Sequence, residues 1–254
     1  MLRPLVSVLV AAGLAAISMS PPARAGMHAT KEFEAGTTRP HTIAFLPPHA
    51  QLLRRKAIKV EEEVEEGVVL SGHLANAVKG LFEKKGYEVR MLTPQEVNAD
   101  SGLQELVLDA DRRYSEMLTQ VRTKLPRQIA EHRYQAGDEM RVLAAKLGVD
   151  AIGFADLMMS TSNGPALFTG GTQSILSVSV IDGNTATIEA YFVPPVFGRS
   201  QMVNYDDLLA DPSAKVGQMV GRALEELPPA AATARAKSEG EKDVVSDVES
   251  LLKK

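Results

Sequence analysis

The sequence predicts an α/β protein with helices flanking a mixed sheet. Three observations support this fold class: a continuous apolar stretch, Ile43 to Leu46, a following helical pattern at three- and four-residue spacing, and an alternating hairpin at residues 174–193. Fully buried strands are continuously apolar, whereas strands with one solvated face alternate. A strand, a helix and a second strand in this order favour a sheet that is partly parallel.

The first 25 residues have the features of a secretory signal peptide. Arg3 precedes an apolar run at residues 5–19, and the sequence A-R-A ends at Ala25. The run is shorter than the ~20 residues that a membrane-spanning helix needs, so we expect cleavage after Ala25, with an uncleaved anchor as the alternative. Gly26 follows, and the chain has no cysteine to carry a lipid or form a disulfide. The sequence predicts a periplasmic protein without a stable membrane anchor after cleavage.

The overall composition is that of an ordinary globular domain. The chain is 44% hydrophobic and 24% charged, which is sufficient for a hydrophobic core without covalent cross-links. Loss of Arg3 and Arg24 with the signal peptide changes the formal net charge from −4 to −6. This net negative charge argues against a nucleic-acid partner.

The mature chain divides into a leader, one domain and a tail. Residues 26–40 are polar and are predicted to form a flexible leader. Residues 41–227 are predicted to form a single α/β domain that opens with the strand of "TIAFLPP", which ends because proline cannot donate a ladder hydrogen bond. Residues 52–67 change from basic to acidic, which predicts a helix or ordered loop with a solvated face.

The first long helix is predicted from apolar residues at helical spacing, and Gly86 is predicted to end it. These residues are Leu70, Leu74, Ala77 or Val78, and Leu81. A short strand is expected from Tyr87 to Leu92.

Residues 101–147 carry the strongest periodicity in the chain. A heptad-like seam there predicts a long helical segment, and Pro126 should divide it into a helical hairpin or a bent helix. The seam consists of Leu103, Val107, Ala110, Tyr114, Met117, Val121 and Leu125, and a second series runs from Ile129 to Leu147. Gly148 is predicted to end the helix before a buried strand from Ala151 to Leu157.

The last third of the sequence predicts a hairpin, a helix and a tail. Residues 160–173 are glycine-rich and should connect two strands, and long connections of this kind are more often functional or mobile than neutral. The hairpin at 174–193 should have one buried face and one face that is wet or only lightly covered, with its turn at residues 182–184. A final helix should end at Pro228, and residues 228–254 form a tail rich in alanine, lysine and glutamate.

The sequence contains no recognisable catalytic, cofactor or metal motif. The histidines do not stand at ligand spacing, and the G-x-S-x-G pattern of α/β hydrolases is missing. The glycine-rich segment lacks G-K-[ST], and Asp109 and Asp111 point in different directions on a helix. We therefore predict no catalytic residues, no cofactor and no metal ligands.

Several segments together resemble a superfamily of bacterial envelope proteins. They are "TIAFLPP", "EKKGYEV", "LAAKLGVDAIGFADL" and the hairpin "SILSVSVIDGNTATIEAYF". The superfamily contains the curli-secretion channel lipoprotein, the amino-terminal domain of TolB and the outer-membrane activators of penicillin-binding proteins. The resemblance spans residues 42 to about 227 and implies a binding module without catalysis. This chain lacks the lipid-bearing cysteine of those lipoproteins and the propeller of TolB, so anchoring, pore formation and enzyme activation are not carried over.

These observations predict a non-catalytic periplasmic accessory or scaffold protein that acts by contact with envelope proteins or with a second copy of itself. The predicted contact residues are Leu118 and Val121, in the heptad-like segment, together with Phe168, Tyr191 and Phe197, because aromatic groups at loop or strand ends favour recognition. Two alternatives remain: the aromatic groups fold back over the core, and Leu118 and Val121 belong to the core.

Two other functions stay open. One is a small-ligand binder or hydrolase with a pocket near Pro47, Leu92 and Met158, where parallel strands end. The other is a homo-oligomer held together by the heptad-like seam.

Overall fold

The computed structural model describes residues 26–56, 59–123, 129, 134–162, 171–193 and 205–230. Its strands are β1 Gly26–Ala29, β2 Thr42–Phe45, β3 His49–Lys56, β4 Lys59–Glu62, β5 Glu88–Met91, β6 Ala151–Ser162, β7 Gly171–Asp182 and β8 Ile188–Val193. They form one sheet in the order β1-β8-β7-β6-β2-β5, and β3 pairs with both β6 and β4. β2 is parallel to β5 and β6, and β3 is parallel to β6, whereas the other pairs are antiparallel. The predicted mixed α/β sheet is confirmed.

Helices cover both faces of this sheet. They are α1 Lys31–Ala35, α2 Val64–Lys84, α3 Pro94–Ala99, α4 Ser101–Thr123, α5 Asp138–Leu147, α6 Tyr205–Ala210 and α7 Pro212–Ala223. On one face, α2 and α7 enclose a cluster in which the Phe82 ring meets Phe45 and Phe192 edge-on, with centroids 5.1 and 6.4 Å away. On the other face, the Tyr114 ring of α4 stacks on Phe154 with centroids 3.8 Å apart.

The predicted flexible leader is wrong, because residues 26–40 are folded. β1 pairs antiparallel with β8, and Thr30 caps α1 by accepting a hydrogen bond from the Phe33 amide. Phe33 is fully buried in the α2 face of the core. The side chain of Glu189, itself buried, accepts hydrogen bonds from the hydroxyls of Thr30 and Thr38 at 2.5 and 2.7 Å. Long-range pairing therefore overrides the polar local sequence.

The prediction for the charge-switching segment at residues 52–67 is also corrected. Instead of a helix or loop, it forms the antiparallel hairpin of β3 and β4 and then the start of α2. Leu52 and Leu53 are buried, and β3 pairs along its length with β6. Arg54 remains partly exposed and pairs with Glu63 at 3.1 Å. The buried leucines and the sheet partner decide the conformation, and Arg54 lies over the ring of the buried Tyr205, 4.8 Å from its centroid.

β2 and β3 run one after the other along β6, and the segment with Pro47 and Pro48 between them changes which side chains face α2. Phe45 pairs with Gly153 and His49 with Asp156, so four residues on this path span three on β6. One extra residue reverses which side chains point to which face. The α2 face accordingly receives odd-numbered residues before the prolines and even-numbered ones after them, namely Ile43, Phe45, Ala50 and Leu52.

The second face of the hairpin β7–β8 is buried, although the sequence predicts one that is wet or only lightly covered. Ser177, Ser179, Thr187 and Glu189 are at most 6% exposed. The Tyr114 hydroxyl lies 2.7 Å from the Ser179 Oγ, which shows that α4 covers this face. The hairpin itself and its turn are as predicted, with an irregularity after Val180. A helix distant in sequence has covered what looked like a solvent face.

The heptad-like seam packs against other parts of the same chain. Its residues from Leu103 to Met117 pack against the sheet, as do Met140 and Leu143 of α5. The predicted oligomer held by this seam is therefore not supported, because the described part of the seam, Leu103 to Met117, is already covered. The bend or hairpin expected at Pro126 lies outside the described residues. Gly148 ends α5 in the left-handed conformation, as predicted, with φ +66°.

Asp150 fastens the end of α5 to the start of β2. Its Oδ2 accepts hydrogen bonds from the His41 and Thr42 amides at 2.9 and 2.8 Å, and its own amide donates to the Thr42 Oγ1 at 2.9 Å. Burial acts to raise the pKa of Asp150, but these hydrogen bonds outweigh it and lower the pKa below its ordinary value. The aspartate of "LGVDAI" thus has a structural role.

The final helix is observed as two helices, α6 and α7, separated at Asp211. Asp211 caps α7 by accepting a hydrogen bond from the Ala214 amide at 3.1 Å. All the apolar residues predicted to share one side are buried; they are Val216, Met219, Val220, Ala223, Leu224 and Leu227. The Tyr87 hydroxyl then donates to the Pro228 carbonyl at 3.1 Å, and burial raises the pKa of Tyr87 to about 12.

Candidate functional site

The predicted contact residues do not form one surface in the described structure. Leu118 and Tyr191 are only 7% and 3% exposed and belong to the α4 face of the core. Both therefore follow the alternative in which they pack inside the chain. Val121 lies in α4, but its side chain falls outside the described part, as do Phe168 and Phe197.

The edge where β2 and β5 end is filled with apolar side chains. Leu46, Leu92 and Val97 are buried there in the α4 face of the core. β3 continues along β6 beyond β2, so it occupies the space that a ligand uses in open parallel sheets. This packing counts against the deep polar pocket predicted near Pro47 and Leu92.

A group of polar residues lies on the α4 face a little further along the sheet. His49, Asp156 and Ser177 occupy directly paired positions on β3, β6 and β7, and we call them the polar row. Paired positions on neighbouring strands place their side chains on the same face. Alternation along β7 puts Ser177 on the same face as Ser179, which Tyr114 contacts.

Asp111 of α4 brings a further carboxyl group to the polar row. Although this residue keeps solvent contact, the surrounding protein raises the pKa of its carboxyl, and His49 partly opposes that rise. Ser177 is fully buried, and its Oγ has no hydrogen-bond partner among the described residues. The arrangement combines hydroxyl, carboxyl and imidazole groups that suit a polar ligand.

The order of the polar row differs from that of a hydrolase. Activation of a serine requires an adjacent base, usually histidine, with the carboxylate behind it. Here Asp156 stands on the strand between those of Ser177 and His49. Among the described residues, no three His, Asp or Glu side chains are grouped to hold a metal ion. The polar row therefore fits binding better than hydrolysis.

The most prominent apolar surface lies at the start of α2 and on the strand before it. Val60, Val64, Val68 and Val69 are 50%, 53%, 64% and 55% exposed, and we call them the valine surface. Val64 and Val68 are four residues apart on α2 and therefore share one face of the helix. Isolated exposed apolar residues need no explanation, but neighbouring ones mark contact sites.

The surroundings of the valine surface add two further features. Glutamates at 61–63, 65 and 66 lie beside the valines along the chain, although Glu63 pairs with Arg54 and Val60 stands opposite Arg55 on β3. β4, which carries Val60, pairs only with β3 in the described sheet. An outer strand presents unpaired backbone groups that a partner strand can use.

The valine surface escaped the sequence analysis because residues 60–69 belong to a run of charges. A signal was present, since Val60, Val64 and Val68 recur every fourth residue. That spacing predicts an apolar stripe only if the segment is helical, and the strand β4 interrupts it. Exposure, which the sequence does not report, separates this stripe from a core stripe.

Comparisons with known proteins give little further information. No known family model matches the sequence, and no curated protein is significantly similar to it. A PelC dodecamer from Paraburkholderia phytofirmans is 11% identical, with a TM-score of 0.30 over 83% of this chain and 94% of that chain. A point variant of that PelC is 10% identical, with a TM-score of 0.29 over 75% and 90% of the two chains. In the described part of this chain, no helix has the length and apolar character to cross a bilayer.

Proposed function

We propose that this chain is a non-catalytic periplasmic accessory or scaffold protein that acts by protein contact in a bacterial envelope system. The observation that carries the proposal is the valine surface, whose four members are each at least half exposed and of which Val64 and Val68 share one face of α2. Water contact at such a surface is unfavourable by roughly 25 cal/mol for each Å² of apolar area.

The chemistry of the valine surface defines the partner. Its apolar centre favours aliphatic or aromatic groups, and its glutamates favour lysine or arginine at the rim, as in other protein interfaces. The free edge of β4 also allows a partner to add a strand through backbone hydrogen bonds. We therefore expect an envelope protein that presents an apolar patch bordered by basic residues.

Cross-linking in the intact envelope of the source bacterium, followed by mass spectrometry, tests this function. We expect capture of one envelope complex, and we expect Val68→Asp to abolish it. Leu108→Asp is the matched control, because Leu108 on α4 is 63% exposed compared with 64% for Val68 and lies on the opposite face of the sheet. Equal capture by both variants would contradict the proposal, and capture of the chain alone would identify a second copy as the partner.

A small-ligand binder is the second candidate, and the polar row favours it. The buried Ser177 Oγ lacks a hydrogen-bond partner in the described structure, and leaving such a group unsatisfied costs about 1–3 kcal/mol. A bound polar ligand would satisfy it. Melting temperatures measured with a panel of sugars and small amines test this function, since a true ligand should raise the melting temperature of the wild type but not of Asp111→Asn. No rise with any compound would argue against it.

A further inference from the structure

The first strand begins at the residue that signal cleavage is predicted to expose. Gly26 pairs with Val193, and Met27 pairs with Phe192. No spacer therefore separates the predicted cleavage point after Ala25 from the sheet. β1 itself fixes the position of the new amino terminus.

A carboxylate from the other end of the domain lies against this position. Glu226 follows α7, and its Oε2 accepts a hydrogen bond from the Met27 amide at 2.9 Å. A Cβ atom placed on Gly26 would lie 3.0 Å from the same oxygen. Standard backbone dimensions put the amino nitrogen about 2.5 Å from such a Cβ, and hence within about 5.5 Å of that oxygen.

We propose that Gly26 is the mature amino terminus and that Glu226 binds its ammonium group. A free α-amino group is mainly protonated at neutral pH, and an opposite charge within ~4–6 Å favours that state. Glycine suits the position, because a Cβ there would press against the carboxylate oxygen at 3.0 Å. The inference rests on the export in the proposed function and extends it: removing the signal peptide supplies a charged group that fastens the edge strand β1.

The test uses the mature protein purified from the envelope, with two glutamine variants. Intact mass gives the amino terminus, and the acylation rate of the α-amino group at pH 7 reports its protonation. Glu226→Gln keeps an oxygen that can accept the hydrogen bond from the Met27 amide and removes only the negative charge of the side chain. Glu225→Gln is the matched control, since the neighbouring Glu225 is also exposed.

We expect a mass that starts at Gly26 and acylation roughly two- to fivefold faster in Glu226→Gln than in the wild type, as for an exposed ion pair. Glu225→Gln should react like the wild type. A different amino terminus, or equal rates in the wild type and Glu226→Gln, would overturn the inference. The valine surface does not involve Glu226, so partner capture and amine protection are judged separately.

Discussion

Leu118→Ala separates a core role for the end of α4 from a contact role. Leu118 is 7% exposed in the apolar cluster between α4 and the sheet, whereas Leu108 on the same helix is 63% exposed. The two substitutions remove the same atoms from the same helix. Their effects on helix propensity therefore cancel, and the difference between them measures burial.

The expected difference follows from the atoms removed. Alanine lacks three carbon groups of leucine, and at ~0.8 kcal/mol for each buried group their transfer accounts for about 2.4 kcal/mol. The cavity adds to this, so we expect Leu118→Ala to lower the free energy of unfolding by about 2.7–5 kcal/mol. Leu108→Ala should stay within about 0.5 kcal/mol of the wild type.

Urea unfolding followed by circular dichroism measures both variants. The midpoint of Leu118→Ala should fall while the slope with denaturant stays unchanged, since the surface exposed on unfolding is nearly the same. If the two variants unfold within about 0.5 kcal/mol of each other, Leu118 is not a core residue and our reading of α4 is wrong.

Three further predictions concern the packing and the pH dependence of the fold. Gly153→Ala should destabilise the protein by about 1–3 kcal/mol in a melting experiment, because its Cβ would lie 2.5 Å from the Phe45 ring. Gly72 lies in open space on α2, so Gly72→Ala should be neutral or stabilising in the same experiment. Tyr114→Phe should cost about 1–3 kcal/mol by leaving the buried Ser179 hydroxyl unpaired, and adding Ser179→Ala should recover part of that loss in a double-mutant cycle. Because the pKa of Asp150 is lowered in the folded protein, its stabilising contribution is complete above the ordinary value of 3.8 and is lost as pH falls through the folded value. Asp150→Asn should therefore make the melting temperature depend less on pH in this acidic range. An unchanged pH dependence would contradict the prediction.

The sequence predicted those elements whose burial pattern is local. The apolar run at 43–46, the stripe of α2 and the alternation in β7 and β8 each encode their own conformation. The segments that sequence reasoning missed depend on distant partners. β1 needs β8, and β3 needs β6, and neither partner is evident in the local pattern.

From the sequence, it was harder to predict which residues are exposed and which are buried than to predict which segments are helices and which are strands. The stripe on α4 and the valines on α2 both recur at helical spacing, but only the first faces the sheet. Ser177 and Ser179 look like a wet strand face until α4 is placed over them. The candidate sites depend on which face each helix covers, and that information belongs to the tertiary structure.

Pro47 and Pro48 divide the early part of the chain into two stretches with opposite alternation of interior residues. Up to Phe45, the odd positions specify the interior beneath α2, and from Ala50 onward the even positions do. Deleting one proline would remove the extra residue, so that the path from β2 to β3 matches β6 step for step and a single alternation keeps Leu52 beneath α2. The residues before and after the prolines therefore have to be treated as separate alternations whenever this stretch is aligned or altered.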